Sequence, residues 1–305
     1  MKKNMKENFE LLERRLIDSL YYSDIDRINY ELSKISGPTL VSGVGGSSVV
    51  SDYASKILSK KNGIITKSVE PRDFKYMNTN LYSNVLSCSY SGNNYGVDLS
   101  FDNDLMHYLL ASKENSNSDV NLVYRCDDKE KSFISLGATL IPCAIMLNYY
   151  LNNRIDRIID NTDKYDYDFD TSCDNFEIFS GYETSSASKF LESTMVESGI
   201  GVPIVHDKYS YCHGRSTLSI NYNATAIYYN RNTEYDRMML EKLGKYYSKI
   251  ITIDSKFKDQ LLDDYQMLIQ SMYLTKYIAE KKKKDLSEVE YSPLVKKLYK
   301  YNREI

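Results

Sequence analysis

Apolar residues recur at helical spacing near the start of the chain, between residues 6 and 34. A spacing of three or four residues places side chains on one face of a helix, so this region predicts one or two helices. The Gly37-Pro38 pair then predicts the end of the helical segment. The apolar positions are Phe9, Leu12, Ile17, Leu20, Ile25, Ile28 and Leu32.

Short apolar runs alternate with helical patterns over the next hundred residues. Predicted strands are 39–43, 64–69, 84–89 and 120–126, and predicted helices are 47–59, 98–113 and 132–151. Strands and helices in alternation are typical of a parallel sheet covered by helices on both faces.

A polar, acidic stretch at residues 156–174 interrupts the pattern, which then restarts. In the second half, predicted strands are 176–180, 202–205, 225–229 and 250–253, and predicted helices are 185–197, 235–247 and 257–281. The pattern predicts an α/β protein with two flavodoxin-like or Rossmann-like modules, each an α-β-α sandwich. The expected order is N-terminal helices (1–36), a first module (37–155), a linker (156–174), a second module (175–290) and a tail (291–305).

The amino-acid composition argues against two classes of partner, nucleic acids and membranes. The 305 residues carry a formal charge of −3, so no nucleic-acid partner is expected. The longest apolar stretch, near residues 136–151, contains Pro142 and Asn148 and is too broken to span a bilayer. Five scattered cysteines without a C-x-x-C pair favour free thiols and a cytoplasmic location.

A metal site is not expected. Asp166, Asp168, Asp170 and Glu177 match four positions of a calcium-binding loop. The position that requires glycine is Thr171, and a strand is predicted to follow where a helix is needed. The three histidines are too scattered for a metal cluster.

A glycine-rich turn, Gly43-x-Gly45-x-Ser47, lies between the first predicted strand and its helix, with Ser48 next. Glycines permit a tight turn with exposed N–H groups, and a helix N-terminus favours an anion. The turn therefore predicts an anion site, although tight packing with Ser47 as a helix cap would also explain it. Ser48 stands where the dinucleotide-binding fingerprint needs its third glycine, which argues against a nucleotide cofactor, and no cofactor is expected.

A second polar turn, Ser89-Tyr90-Ser91-Gly92-Asn93-Asn94, follows the third predicted strand. Two hydroxyls, a glycine and an amide supply uncharged donors that suit a phosphate. Both turns follow strands of one parallel sheet, and ligands bind at the carboxyl edge of such sheets. Together they predict a cradle for a phosphomonoester.

In this order the two motifs resemble the sugar isomerase (SIS) family, which includes phosphoglucose isomerases and the isomerase half of glucosamine-6-phosphate synthase. The match covers Gly43, Gly45, Ser47, Ser89, Ser91 and Gly92, whereas Asn94 replaces a usual threonine. The resemblance implies a double-SIS chain that binds a sugar phosphate, and it adds Arg72, in Glu70-Pro-Arg-Asp-Phe74, near the substrate.

For catalysis, the resemblance implies a base at Glu197 and a ring-opening acid/base at His213. An exposed helix-end glutamate and a capping histidine are the structural alternatives. Arg215 would clamp a phosphate or form a surface ion pair, and Lys297, or Lys296, would approach the sugar or remain solvated.

Two functions remain open. One is an aldose–ketose isomerase, or a related deaminase or deglycase, that acts through an open-chain sugar without a cofactor. The other is a non-catalytic sensor of a sugar phosphate. A homodimer with a shared active site is expected from the resemblance.

Overall fold

The computed structural model describes residues 5–126, 134–152, 167, 173–221, 223–287 and 294. Three short helices begin the chain: α1 (Met5–Glu10), α2 (Leu12–Tyr22) and α3 (Ile25–Lys34). The Asp24 side chain accepts a hydrogen bond from the Arg27 N–H and caps α3. The apolar spacing of residues 6–34 was therefore correctly interpreted as helical.

The first sheet has five parallel strands in the order β2-β1-β3-β4-β5. They are β1 (Thr39–Ser42), β2 (Thr66–Val69), β3 (Asn84–Cys88), β4 (Met106–Ala111) and β5 (Val120–Val123). Three helices accompany this sheet: α4 (Ser47–Asn62), α5 (Tyr95–Ser100) and α6 (Gly137–Tyr150). The order is that of flavodoxin-like folds, whose switch point lies between the first and third strands.

The helix predicted over residues 98–113 is wrong. Helix α5 ends at Ser100, and Met106–Ala111 forms strand β4 between β3 and β5. Methionine, leucine and alanine favour helices in isolation. Pairing on both sides within a buried parallel sheet overrides that preference here, because such a strand needs a continuous apolar run.

The second sheet has four parallel strands in the order β7-β6-β8-β9. They are β6 (Asn175–Ser180), β7 (Val202–Asp207), β8 (Thr225–Asn230) and β9 (Ile250–Asp254). Its helices are α7 (Ser185–Ser198), α8 (Ser216–Asn221), α9 (Glu234–Leu243) and α10 (Gln260–Lys281). The strand order repeats the first four positions of the other sheet, and the predicted α/β class is confirmed.

Three helices join the two sheets. Lys56 of α4 is almost fully buried and pairs with Asp264 of α10 at 2.7 Å and with Asp52 at 3.2 Å. Asp52 also accepts hydrogen bonds from the hydroxyls of Ser185 and Ser186, at the start of α7. One apolar cluster runs through α2, α3, α4, α6, α7 and α10, so both sheets share a continuous core.

Several predictions fall on residues that the structure does not describe. Most of the predicted linker (156–174), the calcium-like aspartates Asp166, Asp168 and Asp170, and Lys296 and Lys297 lie outside the described residues. Within the described ranges, no helix combines the length and apolarity that crossing a membrane requires. All five cysteines are free.

Candidate functional site

The first candidate loop joins β1 to α4. Gly45 has a φ of +59°, a backbone conformation that residues with a side chain rarely adopt. The turn at Gly45 places the N-terminus of α4 at this loop. The N–H groups of Ser47, Ser48 and Val49 donate to the carbonyls of residues 44–46. The hydroxyls of Ser47 and Ser48 are half-buried and make no hydrogen bond among the described residues, so they are available to a ligand.

The second candidate loop joins β3 to α5 and is held by its own polar groups. The buried Ser89 hydroxyl accepts hydrogen bonds from the Gly92 N–H at 3.1 Å and from Asn94 Nδ2 at 2.9 Å. Asn94 Oδ1 accepts from the Val97 N–H and caps α5. Ser89 and Asn94 therefore fix the shape of the loop, whereas half-buried Ser91 and exposed Asn93 make no side-chain hydrogen bond among the described residues.

The two loops lie side by side. Ser42, the last residue of β1, and Ser87, the penultimate residue of β3, are partners in the parallel register of the two strands. A Cβ atom placed on Gly96 would lie 2.4 Å from Val44 Cγ2, so only glycine allows the second loop to approach the first this closely. Gly43, Val44, Asn94 and Gly96 line one small cleft. The backbones of the two loops are therefore adjacent.

Helix α6 and the residues just before it bring two further hydroxyl groups to the first loop. A Cβ on Gly46 would lie 2.9 Å from Ser135 Cβ and 3.3 Å from Thr139 Oγ1. The Thr139 hydroxyl is fully buried and has no hydrogen-bond partner in the described structure. The sequence analysis missed both residues because they fall within the apolar helix predicted over residues 132–151, where a Ser-x-x-x-Thr pair was the available signal.

Arg72 lies next to the second loop in a 3-10 helix, Pro71–Tyr76. Its Nε donates to Glu70 Oε1 at 2.8 Å, and its side chain is half-exposed. It lines a cavity of about 250 Å³ together with Tyr95 and Leu99 of α5. Arg72 is thus near the loops, and its guanidinium is already paired with a carboxylate.

Glu197 lies in the last turn of α7 and is exposed. Partial loss of hydration nevertheless raises the pKa of its carboxyl above the usual value, against a smaller opposite effect of a hydrogen bond from Ser193. The raised pKa suits a proton-transfer group.

His213 and Arg215 lie in an exposed turn between β7 and α8. Arg215 Nη1 donates to the Val205 carbonyl at 2.8 Å and contacts His206 Nδ1 at 3.2 Å, which fastens this turn to the sheet. The opposite ring nitrogen of His206 is 2.8 Å from Glu177 Oε2. Arg215 therefore positions the His213 turn, and its other guanidinium nitrogen atoms remain for a ligand.

Glu177 is buried in β6. Burial alone would raise its pKa, but hydrogen bonds from His206, Tyr247 and Ser219 lower the pKa below the usual value. Oε2 accepts all three of these hydrogen bonds, whereas Oε1 is buried without a hydrogen-bond partner in the described part of the chain. No cluster of metal-ligating side chains occurs among the residues whose positions are described.

Comparison with known proteins establishes the fold. No protein-family model and no curated protein sequence matches the chain. Three similar solved structures span nearly the whole chain. The C-terminal domain of glucosamine-fructose-6-phosphate aminotransferase from Francisella tularensis has a TM-score of 0.73 at 11% identity, covering 95% of this chain and 99% of that one.

The second is tagatose-6-phosphate ketose/aldose isomerase from Escherichia coli, with a TM-score of 0.72, 14% identity, and coverage of 94% and 96%. The third is glucosamine-6-phosphate deaminase from Thermotoga maritima, with a TM-score of 0.66, 15% identity, and coverage of 88% and 93%. The chain therefore has the two-sheet α/β fold of these sugar-phosphate proteins.

Proposed function

We propose that the chain binds a sugar phosphate, with the phosphate held between the β1–α4 and β3–α5 loops. The observation that carries the proposal is the convergence of these loops at the switch point of the first sheet, where open α/β folds bind their ligands. The similar fold of proteins whose names include a sugar phosphate supports the same ligand class.

The donors available at these loops suit a phosphomonoester. The hydroxyls of Ser47, Ser48 and Ser91 and the amide of Asn93 have no competing partner among the described residues. The N-terminus of α4, a helix of 16 residues, adds a partial positive charge. A site of neutral donors and one helix dipole can bind a dianion without lysine or a metal ion.

The packing of α4 against α7 supports a place for Glu197 on the far side of the sugar. Asp52 lies 3.6 Å from Lys189, whereas Lys56, one turn later on α4, lies 5.4 Å from the ring centroid of Tyr182, just before α7. These contacts indicate antiparallel helices, so α7 runs toward the phosphate end of α4. At about 1.5 Å per residue along the two helices, Glu197 would lie roughly 4–9 Å beyond the level of Ser47, and we propose that the sugar lies between them.

We further propose aldose–ketose isomerisation as the reaction, with deamination or deglycation of a sugar phosphate as related chemistries. Glu197 would move a proton between C1 and C2 of the open-chain sugar, and its raised pKa favours this exchange. His213 would act in ring opening. Because His213 is exposed, a homodimer in which it reaches the site of the partner subunit is part of the proposal.

The test is Glu197→Gln, compared with Glu192→Gln, an exposed residue of the same helix. Solvent exchange at C2 of glucose 6-phosphate and fructose 6-phosphate is followed by proton NMR, and binding by thermal shift. The expected result is loss of exchange by a factor of about 10² or more in Glu197→Gln with binding retained, and no change in the control. Equal exchange in the two variants would contradict the mechanism, and binding without exchange in any form would favour a sensor.

A further inference from the structure

The β3–α5 loop lies between two other loops of the first sheet. Because β3 stands between β1 and β4, the β1–α4 loop is on one side of it and the β4–β5 loop, residues 112–119, is on the other. The first neighbour forms the proposed phosphate site together with the β3–α5 loop. The second neighbour determines which way the peptide groups of the β3–α5 loop face.

The β4–β5 loop binds two carbonyl groups of the β3–α5 loop. The Tyr90 carbonyl accepts a hydrogen bond from the Ser112 N–H at 3.1 Å and another from the Ser112 hydroxyl at 2.6 Å. The Gly92 carbonyl accepts from Asn115 Nδ2 at 2.8 Å. Both carbonyls therefore face the β4–β5 loop. We call Ser112 and Asn115 the carbonyl clamp.

The orientation of the Asn115 amide is fixed by its own contacts. Its Oδ1 accepts a hydrogen bond from the Asn117 N–H at 2.9 Å, so Nδ2 is the atom that faces Gly92. The backbone of Asn115 pairs with the side chain of Asn121, whose Oδ1 accepts at 2.9 Å and whose Nδ2 donates at 3.1 Å. A reversed amide would lose the bond to Asn117 and place its oxygen against the Gly92 carbonyl.

Gly92 packs directly against the β4–β5 loop. A Cβ atom placed on it would lie 2.7 Å from the carbonyl oxygen of Lys113 and 3.3 Å from Ala111 Cβ. Its φ of +72° is also one that glycine adopts most readily. Glycine at this position therefore lets the loop come close enough for the carbonyl clamp to reach it.

The clamped carbonyls set the direction of two N–H groups. In a trans peptide the C=O and the following N–H point in opposite directions, and both peptides are trans. The N–H groups of Ser91 and Asn93 therefore point away from the β4–β5 loop, to the side on which β1 lies. Neither N–H has a hydrogen-bond partner among the described residues. N–H groups that face one way attract an anion, whereas carbonyls in their place would repel it.

We propose that Ser112 and Asn115 are positioning residues for the phosphate site. By holding the two carbonyls, they direct the N–H groups of Ser91 and Asn93 to the phosphate oxygens. They act through the backbone of the β3–α5 loop and do not touch the ligand. This inference rests on the proposed function, because it concerns the same phosphate.

The first test measures the direction of the Asn93 N–H group without ligand, as a residual dipolar coupling in NMR spectra. Asn115→Ala is compared with Asn117→Ala, because the Asn117 side chain is exposed, makes no hydrogen bond among the described residues, and the variant keeps the backbone N–H. The coupling should match the structure in the wild type and the control and fall toward zero in Asn115→Ala. An unchanged coupling in Asn115→Ala would overturn the proposal, whether or not a sugar phosphate binds.

The second test is calorimetric titration with glucose 6-phosphate, on variants that remain folded at the titration temperature. Asn115→Ala should bind about ten-fold more weakly or worse, and Asn117→Ala should bind as the wild type does. Ser112→Ala should also weaken binding, whereas Ser112→Thr keeps the hydroxyl and should restore it. Equal affinity in Asn115→Ala and Asn117→Ala would overturn the positioning role. Absence of binding in the wild type would instead contradict the proposed function, and the dipolar coupling would still test the carbonyl clamp.

Discussion

Gly45 is the residue at which the phosphate loop can be blocked with least damage to the fold. Its φ of +59° is a conformation that aspartate tolerates better than most residues, and no atom lies within 4 Å of a Cβ placed there. A carboxylate at this position would occupy the anion site and repel a phosphate.

We therefore predict that Gly45→Asp abolishes sugar-phosphate binding and changes the free energy of unfolding by only about 1 kcal/mol. Gly63, at the other end of α4, has a φ of +66° and an equally open Cβ position, so Gly63→Asp is a matched control. Calorimetric titration with glucose 6-phosphate measures the binding. Undiminished affinity in Gly45→Asp would exclude this loop as the phosphate site.

The carboxyl of Glu197 sets the expected pH dependence of the proposed reaction. A base acts in its deprotonated form, so the rate falls as the pH decreases through the pKa. Because partial loss of hydration raises that pKa, the fall should occur at a higher pH than for a fully hydrated glutamate. A profile of kcat/KM against pH measures it. A profile without an acidic limb would contradict the role of Glu197 as the base, and an acidic limb that persists in Glu197→Gln would belong to another group.

At the scale of residues, the glycines and serines of the two loops could be recognised from the sequence, because their spacing follows directly from the requirements of a tight turn. It did not predict that Ser89 and Asn94 bond to each other, since that contact depends on the folded loop. Thr139 was missed for a similar reason: only the packing of α6 against Gly46 brings its buried hydroxyl to the loop.

At the scale of elements, the ion pair of Lys56 with Asp264 joins α4 to α10, and a hydrogen bond from Lys56 to Ser186 joins α4 to α7. Burial raises the pKa of Asp264, and Lys56 opposes that effect by stabilising the charged carboxylate. Removing one member of a buried pair leaves the other charge without compensation, which costs far more than the pair itself contributes.

We predict that Lys56→Met lowers the free energy of unfolding by about 3–5 kcal/mol. Lys60→Met, one turn further along α4 and exposed, should change it by less than about 0.5 kcal/mol. The double variant Lys56→Met/Asp264→Leu should recover much of the loss, because no unpaired charge is left between these two positions. Urea denaturation measures all three. A single-variant loss below about 1 kcal/mol would show that the pair is dispensable.

Most helices and strands were predictable because apolar residues repeat at different intervals along a strand and along a helix. The exception, β4, has a composition that favours a helix, and only its place between β3 and β5 makes it a strand. That information is not local, so a pattern of adjacent residues could not supply it.

At the scale of the whole molecule, the two sheets repeat one strand order but differ in what their first loops offer. After β1 the loop presents free hydroxyls, whereas after β6 the loop is covered by the carboxylate of Glu183. The loop after β6 lies beside the last turns of α4. We propose the corresponding arrangement, with the end of α7, for a ligand held at the first loop.

The position of the phosphate in a crystal structure of the complex with glucose 6-phosphate tests this account most directly. We predict phosphate oxygens within about 2.5–3.0 Å of the Ser47 and Ser91 hydroxyls, with the sugar directed toward the end of α7 that carries Glu197. A phosphate bound elsewhere, with the Ser47 and Ser91 hydroxyls turned away from a common cavity, would contradict it.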